Sequence, residues 1–136
     1  MAFKNLAIQE DDYSDMESLF RDLNSKIQSL YTHQSDIIRH YQKHALNKRD
    51  VAIELPTGSG KTLVGLLIAE FYRRKNGKRA LYICPTKQLV NQVVELANKD
   101  YGIDAIAYTG SNKNYSQTDK HKYKNTSVAL RKNNCP

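Results

Sequence analysis

Residues 55–62 read Leu-Pro-Thr-Gly-Ser-Gly-Lys-Thr, and this stretch decides the fold. A short apolar run, residues 51–55, precedes it, and apolar residues at helical spacing follow it over residues 61–74. Its two glycines reach backbone angles that residues with a Cβ avoid, so that successive N–H groups can turn inward around a phosphate. The pattern therefore predicts a phosphate-binding loop between a strand and a helix.

The residues of this loop have distinct chemical roles. The N-terminus of the helix adds partial positive charge, and Lys61 supplies a full charge for the β and γ phosphates. The hydroxyl of Thr62 can ligate Mg²⁺, so we expect ATP and Mg²⁺ as cofactors, with Lys61 and Thr62 as the catalytic residues. The expected cofactor contacts are Pro56, Thr57, Gly58, Ser59, Gly60, Lys61 and Thr62. The strict loop pattern begins with Gly where Leu55 stands, and a glycine-rich turn without nucleotide is the alternative.

Strand and helix patterns alternate around the loop. Residues 51–55, 80–84 and 103–108 are short apolar runs that predict strands. A helix over residues 61–74 ends at Asn76-Gly77, and a later helix is marked by Leu89, Val93, Leu96 and Ala97. This β-α-β-α-β order with short connections predicts an α/β fold with a parallel sheet flanked by helices. Functional loops then belong at the carboxyl ends of the strands.

Two helices are predicted before the loop. The first covers about residues 15–30, with a capping box that begins at Ser14, and packs on the flank of the domain. The second has Thr32 as its N-cap and ends near Lys48. We therefore divide the chain into a leader and amphipathic helix, residues 1–30, and a main domain, residues 31–136. The apolar run at residues 128–130 predicts a further turn or two of helix.

Composition sets limits on the class of protein. The 136 residues fit one domain, and 21 Lys and Arg against 14 Asp and Glu give a net charge of +7, which favours polyanionic partners. No apolar run is long enough for a membrane helix, and the N-terminus lacks the apolar stretch of a signal peptide. We expect no membrane partner, a cytoplasmic location, and reduced thiols at Cys84 and Cys135.

The motifs together resemble the superfamily 2 helicases of the DEAD/DEAH-box type. Residues 53–62 are similar to motif I of that family, in which the position of Leu55 is often Ala. Residues 85–92, Pro-Thr-Lys-Gln-Leu-Val-Asn-Gln, resemble motif Ia, and residues 109–111, Thr-Gly-Ser, resemble the motif Ib region. The resemblance implies a RecA-like P-loop fold and an ATP-dependent helicase or translocase that acts on RNA or DNA. It also implies a second RecA-like domain in the intact parent chain.

The resemblance extends upstream to residues 31–34, Tyr-Thr-His-Gln, which are similar to the segment that holds the adenine-recognising glutamine. A glutamine amide presents an acceptor and a donor side by side, which can match N6 and N7 of adenine. Gln34 is therefore the candidate base reader. The alternative is a surface glutamine that caps the second helix, because the spacing from Gln34 to Lys61 is about one helical turn longer than in typical family members.

A nucleic-acid contact is predicted after the second predicted strand. Thr86, Lys87 and Gln88 lie where a loop enters a helix, so N–H groups, a hydroxyl and a charge can hold a phosphate. The alternative is that Pro85-Thr86 only caps the next helix. Gly110 would let backbone approach a phosphate closely, although Thr-Gly turns after strands are common.

Two further patterns favour ordinary surface roles. His40 and His44 stand four apart on a helix, but no third metal ligand has matching spacing, so solvated histidines are expected. The Lys and Tyr residues of 113–124 can stack on single-stranded nucleic acid, although a solvated loop is the safer interpretation.

The sequence lacks the Asp-Glu motif that hydrolysis needs, since no apolar strand ending in Asp-Glu follows Gly110. We therefore expect an incomplete RecA-like domain, cut before motif II, that binds ATP at most weakly and does not turn it over. The alternatives are a non-helicase P-loop ATPase or kinase, and a basic nucleic-acid-binding module without catalysis.

Overall fold

The computed structural model describes residues 14–109 and the backbone of residues 127–131. The elements are, in chain order, α1 (Met16–Asp22), α2 (Thr32–His44), α3 (Lys61–Asn76), β1 (Leu81–Cys84), α4 (Lys87–Leu96), a π-helix (Ala97–Tyr101), β2 (Ala105–Tyr108) and β3 (Ser127–Arg131). This mixture of helices and strands is consistent with the predicted α/β class. None of the helices in the described ranges is long and apolar enough to cross a bilayer.

The three strands form one parallel sheet in the order β1-β3-β2. β3 lies in the middle, and its Leu130 is in register with Ile83 of β1 and with Tyr108 of β2. The parallel pairing agrees with the prediction from short alternating elements. The loops that follow β1 and β2 therefore lie at the same edge of the sheet.

Two segments of the chain differ from their predicted secondary structure. Residues 51–55, predicted as a strand, pair with no strand in the described ranges, and Val51 and Ile53 are 41% and 39% exposed. A strand exists only where a neighbour completes its hydrogen bonds, so the apolar run alone is not enough. Residues 128–130, predicted as helix, belong instead to β3, which is hydrogen-bonded to β1 and to β2. The apolar run was too short to distinguish helical from strand periodicity.

The N-terminal helix is shorter than predicted. α1 ends at Asp22, and Leu23 already has extended backbone angles (φ −68°, ψ 138°). The backbone N–H of Lys26 and the hydroxyl of Ser25 both donate to the carbonyl oxygen of Asp100, at 2.8 and 3.1 Å. These tertiary bonds replace the helical ones that periodicity predicted. The N-cap is Asp15 and not Ser14, since the Asp15 carboxylate accepts from the N–H of Ser18 at 2.7 Å.

The core lies where the helices pack on the sheet. α3 buries Leu63, Val64, Leu66, Leu67 and Phe71. It approaches β1 closely, because a Cβ on Gly65 would lie 2.9 Å from the ring of Tyr82. The helix ends as predicted at Gly77, which caps it in the left-handed conformation. α3 thus runs from the end of the phosphate-loop sequence to the cap at Gly77.

A buried carboxylate also holds α3. Glu70 is 1% exposed and accepts hydrogen bonds from Arg73 at 2.7 and 2.8 Å and from Arg74 at 2.7 Å. Burial by itself would raise the pKa of Glu70, but the hydrogen bonds and charges of the two arginines outweigh it and hold this pKa below its ordinary value. The charged form of Glu70 therefore contributes to stability.

We expect Glu70→Gln to lower the free energy of unfolding at pH 7 by about 2 kcal/mol, because two arginines lose their counter-charge. The loss is smaller than for a fully buried pair, since the Arg73 and Arg74 side chains are 22% and 27% exposed. A lowered folded pKa means that this stability is present above the unfolded pKa and is lost as the pH falls through the folded pKa. Urea unfolding across the acid range should therefore show the two proteins converging, and a constant difference would contradict the assignment.

Candidate nucleotide-binding site

The predicted phosphate loop is a tight bend that leads into α3. Gly58 and Gly60 have φ angles of 78° and 77°, in the left-handed region, and Gly60 is the N-cap of α3. The N–H and hydroxyl of Ser59 both donate to the carbonyl oxygen of Pro56, at 3.2 and 2.6 Å. The sequence prediction of a glycine bend ahead of Lys61 thus corresponds to the observed backbone.

The start of α2 holds this bend in place. The Nε2 of Gln34 donates to the carbonyl oxygen of Ser59 at 3.0 Å. The Nε2 of His33 also lies 3.0 Å from that oxygen, and the tautomer protonated there donates to it. Gln34 is buried, and a Cβ on Gly60 would overlap its Nε2. Gly60 is therefore required both for its φ angle and for the space that Gln34 fills.

The environment of Gln34 agrees with one part of the capping interpretation and differs from another, whereas its role as base reader stays a prediction. Its Oε1 accepts from the backbone N–H of Tyr31 at 3.0 Å, so the side chain does cap α2. It is not a surface residue, however, since it is only 3% exposed. One Nε2 hydrogen and one Oε1 lone pair remain beyond these two bonds. Gln34 links the start of α2 to the loop.

The two residues expected to act on phosphate and metal open α3. Lys61 is exposed, and Thr62 is half-buried beside β1. The Thr62 side chain lies beside Tyr82, whose pKa is raised chiefly by burial and lowered to a smaller extent by the Thr62 hydroxyl. The Thr62 hydroxyl keeps lone pairs for a second partner. The side chains thus lie where the first turn of a helix meets an exposed loop.

The donors of this region suit an anion. The N–H of Ser59 already closes the turn with Pro56, which leaves the amides of Gly58, Gly60 and the first turn of α3. These amides lie at the N-terminus of a 16-residue helix, beside the charge of Lys61. Backbone amides, a lysine and a hydroxyl form the donor set that a triphosphate with Mg²⁺ requires.

A second loop lies at the carboxyl end of β1. Thr86 is the N-cap of α4, and its Oγ1 accepts from the N–H of Leu89 at 3.2 Å. Thr86, Lys87 and Gln88 are all exposed. The capping role weighed for Thr86 is therefore present, and its hydroxyl hydrogen is still available to an outside acceptor.

The remaining predicted residues contribute less. Gly110, residues 113–124 and Cys135 lie outside the described residues. The rings of His40 and His44 are 4.6 Å apart, and residues 14–109 hold no group of three or more His, Cys, Asp or Glu arranged for a metal. Cys84 is a free, buried thiol whose pKa is raised by burial.

Two contacts at the site were not predicted from the sequence. His33 reaches Ser59, and Tyr82 of β1 reaches Thr62. His33 stands beside Gln34, so their adjacency was the available signal. The contact between Tyr82 and Thr62 depends on how closely Gly65 lets α3 approach β1.

The two glycines provide a matched pair of variants. Gly58→Ala should cost about 1–2 kcal/mol of unfolding free energy from the left-handed backbone alone, because nothing lies within 4 Å of the added Cβ. Gly60→Ala should cost more, since its Cβ also displaces Gln34. In a Gln34→Ala background the two substitutions should cost the same, as measured by urea unfolding. An equal cost in the wild-type background would contradict the contact.

Comparison with known proteins agrees with this geometry. The family model for the DEAD/DEAH box helicase matches residues 31–131. Similar proteins include the reverse gyrase of Methanocaldococcus jannaschii, 30% identical over 92 residues and 68% of this chain, and reverse gyrase 1 of Aquifex aeolicus, 32% identical over 103 residues and 76% of this chain. The ATP-dependent RNA helicase ROK1 of Kluyveromyces lactis is 38% identical over 87 residues and 58% of this chain.

The match covers most of this chain but a small part of each relative. The chain spans 5%, 8% and 15% of the lengths of these three proteins, respectively. No solved structure gives a significant match. The family model, however, covers well over half of the chain and includes the phosphate loop, Gln34 and the loop after β1. The chain therefore belongs to the DEAD/DEAH box helicase family.

Proposed function

We propose that this chain is the ATP-binding portion of an ATP-dependent nucleic-acid helicase or translocase, with a RecA-like P-loop fold over residues 31–136. The observation that carries the proposal is the left-handed bend at Gly58 and Gly60, which opens α3 and is held by Gln34. The donor set at this bend suits a triphosphate better than a neutral ligand. The names of the relatives, an ATP-dependent RNA helicase and reverse gyrases, support the same activity.

Each loop residue has a role in this proposal. Pro56, Thr57, Gly58, Ser59 and Gly60 shape the bend and supply main-chain donors to the phosphates. Lys61 contacts the β and γ phosphates, and Thr62 holds Mg²⁺. When bound, Mg²⁺ neutralises the charge that develops on the phosphate oxygens. Hydrolysis also needs a second set of carboxylates to hold Mg²⁺ and polarise water, and we assign that step to the intact parent protein.

The loop after β1 is the proposed contact for nucleic acid. Thr86, Lys87 and Gln88 are exposed at the start of α4. Gly110, which lies outside the described residues, is proposed as a further contact. Such contacts recognise the sugar-phosphate backbone of RNA or DNA and do not depend on the base sequence. In the intact protein, ATP-driven closure against a second RecA-like domain would move this grip along the strand.

Lys61→Ala tests the nucleotide site directly. We expect the variant to lose binding of a fluorescent ATP analogue, because the only full positive charge of residues 55–62 is removed. Its urea unfolding midpoint should not change, since Lys61 is exposed. Lys99→Ala, which removes an exposed lysine on the π-helix, should bind like wild type. Binding of the analogue by Lys61→Ala at wild-type affinity would remove the site assignment.

Gln34→Ala separates base reading from loop support. If the free Nε2 hydrogen and Oε1 lone pair of Gln34 read adenine, the variant should lose ATP affinity several-fold more than UTP affinity. Loss of the bond to Ser59 acts on every nucleotide equally, because it alters the phosphate loop. Competition of ATP and UTP against the same labelled nucleotide gives the two affinities. An equal loss for both would restrict Gln34 to its bond with the loop.

A further inference from the structure

α2 and α3 lie side by side and point in the same direction. Their N-terminal ends meet where Gln34 contacts Ser59, and their C-terminal ends meet where the hydroxyl of Tyr72 donates to the carbonyl oxygen of Leu46. The side chain of Tyr41 lies beside that of Tyr72 near the second meeting point. Since α3 has 16 residues, its far end is about 24 Å from the phosphate loop.

This far end carries a concentration of positive charge. The last turns of the two helices contain Lys43, Arg73, Arg74 and Lys75. The C-terminus of a helix carries partial negative charge, which favours cations in these positions. Arg73 and Arg74 are in addition bound by Glu70. Lys43 and Lys75 are exposed, so their charges also face solvent.

The residues that follow the helices are not explained in this way. Lys48 and Arg49 come after α2, Lys78 comes after the cap of α3, and all three are exposed. Within residues 14–109 none of the three forms an ion pair, although the carboxylate of Asp50 stands next in sequence to Arg49. The charge of a helix end falls off within its last turn, so it does not call for cations here.

We propose that this basic end, defined by Lys43, Lys48, Arg49, Lys75 and Lys78, binds the phosphate backbone of a nucleic acid. It is a second contact region, separate from the loop after β1. The inference rests on the proposed function, in which a nucleic acid is already the partner. Successive phosphates on one nucleic-acid strand of a duplex are about 3.4 Å apart, so about seven nucleotides span the length of α3. The contact does not distinguish between base sequences, since it consists of lysine and arginine charges that meet phosphates.

The test uses the full chain and a fluorescein-labelled 20-nucleotide oligouridylate without ATP. The variant Lys48→Gln with Lys78→Gln should bind less tightly than wild type at low salt, and the two affinities should converge as the salt concentration rises. Each phosphate contact on a single strand contributes about 0.7 to the slope of log affinity against log salt, so the slope should fall by about 1.4. The control, Arg21→Gln with Lys99→Gln, removes the same charge from exposed positions elsewhere and should lower the slope by much less.

An equal loss in the variant and the control would overturn the proposal, because net charge alone would then explain binding. It would also be overturned if the variant kept wild-type affinity for the oligonucleotide, including the case in which it lost binding to phosphatidylserine vesicles only. The oligonucleotide assay contains no ATP, and the variant and its control leave residues 55–62 unchanged. A failed ATP site therefore leaves this result unaffected, and the two proposals fail separately.

Discussion

The carbonyl oxygen of Ser59 receives hydrogen bonds from the first turn of α2, and the shape of the candidate site depends on this contact. Gln34 fills the space beside Gly60 that a Cβ would occupy, and His33 approaches the same oxygen. The left-handed bend is therefore fixed both by glycine and by a neighbouring helix. A glycine-rich turn without this support would sample many conformations.

The support of the loop extends to the N-terminal segment. Gln42 of α2 accepts from the N–H of Met16 at 3.0 Å and donates to the carbonyl oxygen of Ser14 at 3.1 Å. Arg39 pairs with Glu17 at 3.0 Å, although both groups are too exposed for this pair to contribute much stability. Met16 and Leu19 are fully buried. Residues before the family match thus pack into the same core as α2, which holds the loop.

The sequence was most informative where local chemistry decides the structure. Gly58, Gly60 and Gly77 all have left-handed backbone, and α3, which lies between Gly60 and Gly77, was predicted almost to the residue. The secondary-structure prediction was wrong where tertiary contacts decide the structure. α1 stops early because Ser25 and Lys26 bond to Asp100, and β3 forms because two ladders meet there. Neither partner is visible from the neighbouring sequence.

The candidate site also combines features that the local sequence determines with features that depend on tertiary packing. The phosphate loop follows from its glycines and lysine, whereas the burial of Gln34 depends on how α2 packs against the loop. Thr86 illustrates a residue whose two interpretations are compatible, since a capping hydroxyl still has a hydrogen to donate. The site residues that we expected at the carboxyl ends of strands stay a prediction, based on the edge that parallel strands share.

In the proposed complex, main-chain amides at the start of α3 bind the phosphates of ATP. A titration with ATP and Mg²⁺, followed by the backbone amide chemical shifts, measures this contact residue by residue. We expect the largest shifts at Gly58, Gly60, Lys61 and Thr62, and smaller ones at Gln34. Saturable shifts confined to residues away from this loop, or no shifts at all, would contradict it.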